Sequence, residues 1–201
     1  MSGIASGLAR NSVFGNVALA IAGVISLLSF AIGAGCTAIL VNWGRRRVMQ
    51  SAYALPLMLE AGLLAIFAFS GSYLEMRRWL FVPIAAILLC FTMGLQNAII
   101  TKISNAEIRT THITGIVTDI GIELGKLFYW NCSSNGRGGI FVRADRKKLS
   151  LLILLLVLFV GGGILGAVGF RHVGYIFTLP LAALLAILAA VPVFDDLRIL
   201  N

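Results

Sequence analysis

The sequence predicts an all-α, polytopic membrane protein, and three observations support that fold class. Of the 201 residues, 59% are apolar, and the mean hydropathy is +0.97. Charged residues make up 12% of the chain, whereas soluble domains carry about 25%. Five apolar runs of 21–27 residues each match the roughly 20 helical residues that cross a hydrocarbon core. This composition excludes an ordinary soluble enzyme, a disordered chain and a small disulfide scaffold.

The apolar runs define the expected membrane spans of one membrane domain covering 1–201. In chain order they are run A (Val17–Trp43), run B (Ala52–Leu74), run C (Trp79–Ile100), run E (Leu149–Phe170) and run F (Gly174–Phe194). Because backbone groups in lipid need internal hydrogen bonds, each run is expected to be helical. With the segment between C and E, the chain would have about five to six transmembrane helices.

That intervening segment, called D, covers Thr111–Trp130 and is apolar on one side only. His112, Asp119, Glu123 and Lys126 fall at offsets of 0, 7, 11 and 14 residues, which form one stripe on a helix. A charged stripe should not face lipid, since one charge at mid-membrane costs about 2.5–3.5 kcal/mol. Segment D is therefore expected to lie at the interface or to pack with its stripe towards a polar cavity.

Basic residues favour a re-entrant or interfacial position for D over a full crossing. The net charge is +8, from 16 Lys and Arg against 8 Asp and Glu. If D does not cross, twelve basic residues share one side and four take the other; a crossing D would make the split ten to six. The twelve are Arg45, Arg46, Arg47, Lys102, Arg109, Lys126, Arg137, Arg143, Arg146, Lys147, Lys148 and Arg198. The positive-inside rule places that side in the cytoplasm, so we expect a multi-pass protein whose basic loops face the cytoplasm.

The chain also repeats itself weakly, in halves covering 1–78 and 79–201. The matching pieces are Met1–Ser6 with Ile113–Thr118, Phe30–Gly33 with Phe159–Gly162, and Leu55–Leu57 with Leu179–Leu181. The first half then contains a D-type fragment and runs A and B, without a counterpart of run C. Three spans per unit would invert one half relative to the other, an arrangement common among transporters.

Candidate site residues cluster where run C ends and D begins. Amides at the end of a membrane span can cap a broken helix or line a cavity, and ionisable residues at membrane depth mark ion or proton pathways. The candidates for a substrate or ion pathway are Gln96, Asn97, Arg109, Thr111, His112, Thr114, Asp119, Glu123 and, within run B, Glu60. Asp119 is expected to be the most sensitive, because it has no cationic residue within one helical turn, whereas Glu123 can pair with Lys126.

Two stretches near the middle of the chain resemble a known family. Met93–Ala98 and Arg109–Gly121 resemble the YoaK-like family of bacterial integral membrane proteins, a domain of unknown function. The resemblance runs through the whole chain and implies the helical membrane architecture, without a settled activity. Members of that family usually begin with one more helix, which ends in a His-Met-Thr/Ser-Gly motif. We therefore expect the coding DNA to continue in frame upstream of Met1.

Two classes of function remain open: a small ion- or proton-coupled transporter, or a non-catalytic membrane scaffold or assembly partner. An enzyme is not expected, because no G-x-S-x-G or S-x-x-K motif accompanies the acidic residues. The spacing H-x6-D-x3-E matches no common zinc pattern, so neither a metal nor a cofactor is predicted.

Expected partners follow from charge and glycine spacing. The loop Cys132–Lys148 is basic enough to bind anionic lipid headgroups and too short to fold into a nucleic-acid-binding face. A transporter would add an unknown small solute or ion. The G-x-x-x-G pairs Gly121/Gly125 and Gly162/Gly166 are compatible with a homo-oligomer.

The charge distribution predicts that the Arg45–Arg47 loop and the Arg137–Lys148 loop lie on the same, cytoplasmic, side of the membrane. Reporter fusions in the two loops would test this, because enzymatic reporters respond to only one compartment. Reporters on opposite sides would mean that D crosses the membrane and would exclude the inverted repeat.

Overall fold

The computed structural model describes residues 1–47, 52–74, 78–103, 113–129 and 144–199, including all side chains except those of 72–74, 78–81 and 194–199. Within these ranges the chain forms α-helices and one 3₁₀ segment, with no strand. In order they are α1 (Ser2–Val13), α2 (Val17–Arg46), α3 (Ala54–Leu74), α4 (Arg78–Ile103), α5 (Ile113–Phe128), α6 (Arg146–Val173), the 3₁₀ segment (Gly174–Thr178) and α7 (Leu179–Ile199). The predicted all-α polytopic fold class is confirmed.

The apolar runs correspond to helices, whose ends differ from those of the runs by up to five residues. Runs A, B, C and E lie within or largely within α2, α3, α4 and α6, and segment D contains α5. Run F was expected to begin at Gly174, whereas α7 begins at Leu179. Gly174 has a φ of 73°, a left-handed conformation that ends α6 and that glycine adopts without a steric cost.

Four helical segments of the described chain are long and apolar enough to cross a membrane. Three lie in α2, α3 and α4, and the fourth extends over 48 residues from Arg146 to Val193. One straight helix of that length would measure about 72 Å, more than twice the hydrocarbon thickness of about 30 Å. The break at Gly174 divides it into two helices of crossing length, α6 and α7, which makes the chain a multi-pass membrane protein.

Helices α2 and α4 form the most extensive helix contact of the described residues, and two glycines let their backbones approach. A Cβ atom on Gly33 would overlap the Phe91 carbonyl oxygen, and a Cβ atom on Gly94 would overlap the Phe30 carbonyl oxygen. Small residues let helix backbones approach closely in membranes. The hydroxyl of Thr37 donates a hydrogen bond of 3.2 Å to the carbonyl oxygen of Leu95. Thr37 follows Gly33 by four residues and Leu95 follows Phe91 by four residues, so the two helices run parallel.

Helix α3 packs against α7, and both helices bury alanines at heptad spacing. Three buried alanines, Ala54, Ala61 and Ala68, recur every seven residues on α3. Two more, Ala182 and Ala189, are buried seven residues apart on α7. Residues spaced by seven share one helix face, so both helices present a small, flat surface at this contact.

Three aromatic rings join the end of α3 to the turn between α6 and α7. The Tyr175 ring lies edge-on to Phe67 and to Phe170, at 5.6 Å between centroids in each case. Gly71 makes room for this cluster, because a Cβ atom there would overlap the Tyr175 ring. These edge-to-face contacts attach α6 and the 3₁₀ segment to the end of α3 that lies away from Tyr53.

The glycine contact predicts different effects for two alanine substitutions on α2. Gly33→Ala should lower the free energy of unfolding by about 1–3 kcal/mol, because the added methyl group forces the backbones of α2 and α4 apart. Gly35→Ala is the matched control, since nothing lies within 4 Å of a Cβ atom there, and it should be neutral or slightly stabilising. Unfolding in detergent measures both, and equal effects would show that the crossing does not depend on Gly33.

Candidate functional site

The strongest candidate site is a carboxyl group buried between α3 and α4. Glu60 lies on α3 and is 1% exposed, within a segment long and apolar enough to span a membrane. Its Oε1 atom accepts a hydrogen bond from the side-chain amide of Gln96 on α4. Within the described residues no cationic side chain pairs with this carboxyl group.

Neighbouring hydroxyl groups in the same part of the bundle are bonded elsewhere. Thr37 donates to the Leu95 carbonyl oxygen, directly before Gln96. Thr92 donates 2.9 Å to the Leu88 carbonyl oxygen of its own helix. Both threonines are buried, and both satisfy their donors on helix backbone, as buried polar groups require. Glu60 differs from them because it is ionisable and has an amide as its described partner.

Heptad spacing aligns Glu60 with the structures at the two ends of α3. Tyr53, Glu60 and Phe67 are seven residues apart, so they share one helix face. The rise of about 1.5 Å per residue puts Tyr53 and Phe67 roughly 10 Å from the level of Glu60, in opposite directions. The carboxyl group is therefore midway between the Tyr53 end and the aromatic cluster.

A polar clasp joins three helices at the Tyr53 end. The Arg45 guanidinium donates a hydrogen bond of 3.1 Å to the Tyr53 hydroxyl. That hydroxyl donates in turn to the Lys102 carbonyl oxygen at 3.4 Å. The last turns of α2 and α4 thus meet the start of α3, so α3 runs antiparallel to both and leads from the clasp to the aromatic cluster.

The polar stripe of α5 is partly engaged with the start of α6. The Lys126 ammonium lies 2.8 Å from Glu123 Oε1, as the sequence predicted for that pair. Glu123 Oε2 accepts 2.8 Å from the backbone N–H of Asp145, the residue that caps α6 through bonds to the N–H groups of Lys147 and Lys148. The hydrogen bond from Lys126, aided by that from Asp145, lowers the pKa of the Glu123 carboxyl below its ordinary value.

Asp119 has a different environment from the one expected. Its Oδ2 atom lies 3.8 Å from the Lys148 ammonium, and the two side chains are 46% and 51% exposed. Lys148 approaches from α6, outside the helical turns of α5 that the sequence pattern considers, and the expectation that Asp119 is the most sensitive position stays a prediction. Glu123, whose side chain is 4% exposed, is the buried carboxylate of this helix.

The remaining candidates fall into two groups. Asn97 on α4 donates to the Met93 carbonyl oxygen at 2.9 Å, and Thr114 is an exposed residue near the start of α5 whose carbonyl oxygen accepts from Thr118. Arg109, Thr111 and His112 lie outside the described residues. Glu60 and Gln96, predicted on separate runs, are the two candidates that the described structure brings into contact.

Sequence reasoning missed the clasp and the link from Glu123 to Asp145. The seven-residue spacing of Tyr53, Glu60 and Phe67 was available as a signal of one shared face. The partners Arg45 and Asp145 gave no local signal, because both contacts depend on how separate helices pack.

Comparison with known proteins supplies a family and no activity. The family described as "Protein of unknown function (DUF1275)" matches residues 1–191. No curated protein and no solved structure matches the chain. The family match and the YoaK-like resemblance of the sequence both indicate an uncharacterised family. The YoaK-like assignment itself stays a prediction.

The pKa of Glu123 predicts how the α5–α6 contact depends on pH. A carboxyl group whose pKa is lowered by folding adds stability above its ordinary pKa of 4.5, and this contribution is lost as the pH falls through the lower folded value. Wild-type protein should therefore be more stable than Glu123→Gln at pH 7, with a difference that shrinks below pH 4.5. Thermal unfolding in detergent across that range measures it.

Asp119→Asn is the control for this experiment, because it removes a carboxylate of the same helix. Its pair with Lys148 is half-exposed, and such pairs contribute about 0–1 kcal/mol. A difference between wild type and Glu123→Gln that stays constant down to pH 3.5 would contradict the role given to Glu123.

Proposed function

The chain belongs to the DUF1275 family, and we propose that it is a small ion- or proton-coupled transporter in which Glu60 binds the coupling proton or cation. The single observation that supports this most strongly is the burial of Glu60 at membrane depth with an uncharged partner. Ionisable residues inside membranes are costly and mark ion or proton pathways. Gln96 suits such a role, because an amide can donate to the carboxylate or accept from the protonated acid.

The contacts along α3 support a site that is closed on each side by a separate group of residues. The clasp of Arg45 and Tyr53 lies on one side of Glu60, and the aromatic cluster around Tyr175 lies on the other. Alternating access needs a central site that is closed from one side at a time. Breaking the two hydrogen bonds of the clasp, or turning the aromatic rings aside at the Gly174 break, would open one path each.

The proposed inverted repeat adds support from helix packing. Under the repeat, α1 and α2 correspond to α5 and α6, and both pairs are in contact. Helices α3 and α7 correspond to each other and also pack together. Repeats of this kind place substrate and ion sites between the two halves, near the membrane midplane. We place the protein in the bacterial cytoplasmic membrane, because the family that it resembles consists of bacterial membrane proteins and its basic loops favour a cytoplasmic side.

A non-catalytic membrane scaffold is the alternative, and the open face of α6 favours it. Gly162 and Gly166 have nothing within 4 Å of a Cβ atom, and apolar residues along this helix, such as Leu158, are exposed. Small-residue faces of this kind can bind another membrane helix. A scaffold would depend on this face and would tolerate replacement of Glu60.

Replacement of Glu60 separates the two functions. Glu60→Gln keeps the volume and a hydrogen bond to Gln96 while removing the titratable group, so the protein should reach the membrane at wild-type levels and lose its transport. Cells expressing wild type, Glu60→Gln or Asp119→Asn would be compared for depletion of small metabolites from the medium, with and without a protonophore. Solutes that wild type depletes at least roughly tenfold more than Glu60→Gln are the expected result, since mid-membrane carboxylates carry the pathway. An equal loss in Asp119→Asn would place both carboxylates on the pathway.

Two outcomes would contradict the transporter. Uptake that is equal for wild type and Glu60→Gln would remove Glu60 from the pathway. The scaffold would be supported by two results together: depletion of every solute is independent of wild-type protein, and a phenotype is lost in Gly162→Leu but kept in Glu60→Gln.

A further inference from the structure

We propose that a cleft at the end of α2 binds the phosphodiester headgroup of an anionic phospholipid. The cleft has a volume of about 510 Å³ and is lined by Ile39, Asn42, Trp43, Arg45 and Arg46. It lies apart from Glu60, and it is distinct from the basic loop Cys132–Lys148 that the sequence marked for lipid contact. The proposal does not depend on the transport function.

Along α2 the lining residues change from apolar to cationic, in the same order as the acyl chains and the charged headgroup of a phospholipid. Ile39, Asn42, Trp43 and Arg46 are spaced by three, four and seven residues, so they share one face of α2. Ile39 lies about two turns deeper in the membrane than Arg46 and is 70% exposed, beside the acyl chains. Trp43 follows at the level where tryptophan occupies the membrane interface, and the guanidinium groups lie beyond it.

The two arginines carry charge that the described protein does not neutralise. Arg45 donates to the neutral Tyr53 hydroxyl, which leaves its other N–H groups available. Arg46 is exposed, and neither arginine forms an ion pair with a carboxylate within the described ranges. Guanidinium groups bind phosphate oxygens through paired N–H donors, and the Asn42 amide adds a neutral donor at the same place.

Trp43 is itself held in place by a third arginine. The Arg47 guanidinium lies 5.5 Å from the centre of the Trp43 ring, within the range of a cation–π contact. This contact favours the observed position of the indole, which lies along α2 between Ile39 and Arg46. A free phosphate ion would use only the cationic part, whereas a lipid would also cover Ile39 and the indole, so the lining favours the lipid.

Fluorescence quenching of Trp43 tests the proposal. The full-length protein, with Trp79→Phe and Trp130→Phe so that Trp43 is the remaining indole, would be placed in vesicles containing brominated phosphatidylglycerol or brominated phosphatidylcholine. Half-maximal quenching should need a mole fraction of the anionic lipid roughly 30-fold lower than that of the zwitterionic lipid, since each arginine near the surface adds about a fivefold preference.

Arginine variants show whether the preference comes from the cleft. Arg45→Gln with Arg46→Gln should abolish it, whereas Arg10→Gln with Arg171→Gln, which removes the same charge from α1 and α6, should leave it unchanged. If the loss of the Arg45 bond to Tyr53 prevents folding, Arg46→Gln alone should reduce the preference roughly fivefold.

Three results would overturn the proposal. Equal quenching by the two lipids would show that the cleft does not select an anionic headgroup. An equal loss in the Arg10 and Arg171 double variant would assign the preference to net charge. Displacement of the anionic lipid by millimolar inorganic phosphate would assign the site to a free anion.

Discussion

The need to satisfy a carboxyl group inside an apolar bundle is the constraint on which this structure depends. Glu60 is buried in a helix that otherwise carries apolar and small residues, and Gln96 supplies its hydrogen bond. That bond fixes the rotation of α4 relative to α3, because a turn of either helix would move one of the two side chains into lipid. The rest of the packing around α4 is consistent with that single orientation.

The glycine crossing makes this orientation attainable. Gly33 and Gly94 let the backbones of α2 and α4 meet, and the Thr37 hydroxyl then reaches the Leu95 carbonyl oxygen beside Gln96. In a bilayer there is no hydrophobic force between helices, so close packing and hydrogen bonds between helices provide the association. One contact zone therefore aligns three helices around one titratable group, and the clasp and the aromatic cluster hold the same helices at their two ends.

Hydropathy predicted the helices because membrane crossing is a property of a local run of residues. The start of α7 was misplaced by five residues, since the 3₁₀ segment after Gly174 is as apolar as a helix and depends on a backbone angle. Asp119 has no cation within one turn of its own helix, and its contact with Lys148 depends on the packing of α6 against α5, which a pattern within α5 does not encode. Glu60 and Gln96 were both recognised as candidates, yet their pairing follows only from the packing of α3 on α4, which no local pattern encodes.

Chemical modification of Glu60 tests the central claim most directly. Hydrophobic carbodiimides react with carboxyl groups that carry a proton inside an apolar environment, so the claim that Glu60 binds the coupling proton or cation predicts an adduct on this residue when no cation occupies it. After labelling of the full-length protein in vesicles, peptide mass spectrometry should find the adduct on Glu60 and little on Glu123 or Asp119. An adduct on Glu123 or Asp119 with none on Glu60 would contradict the account.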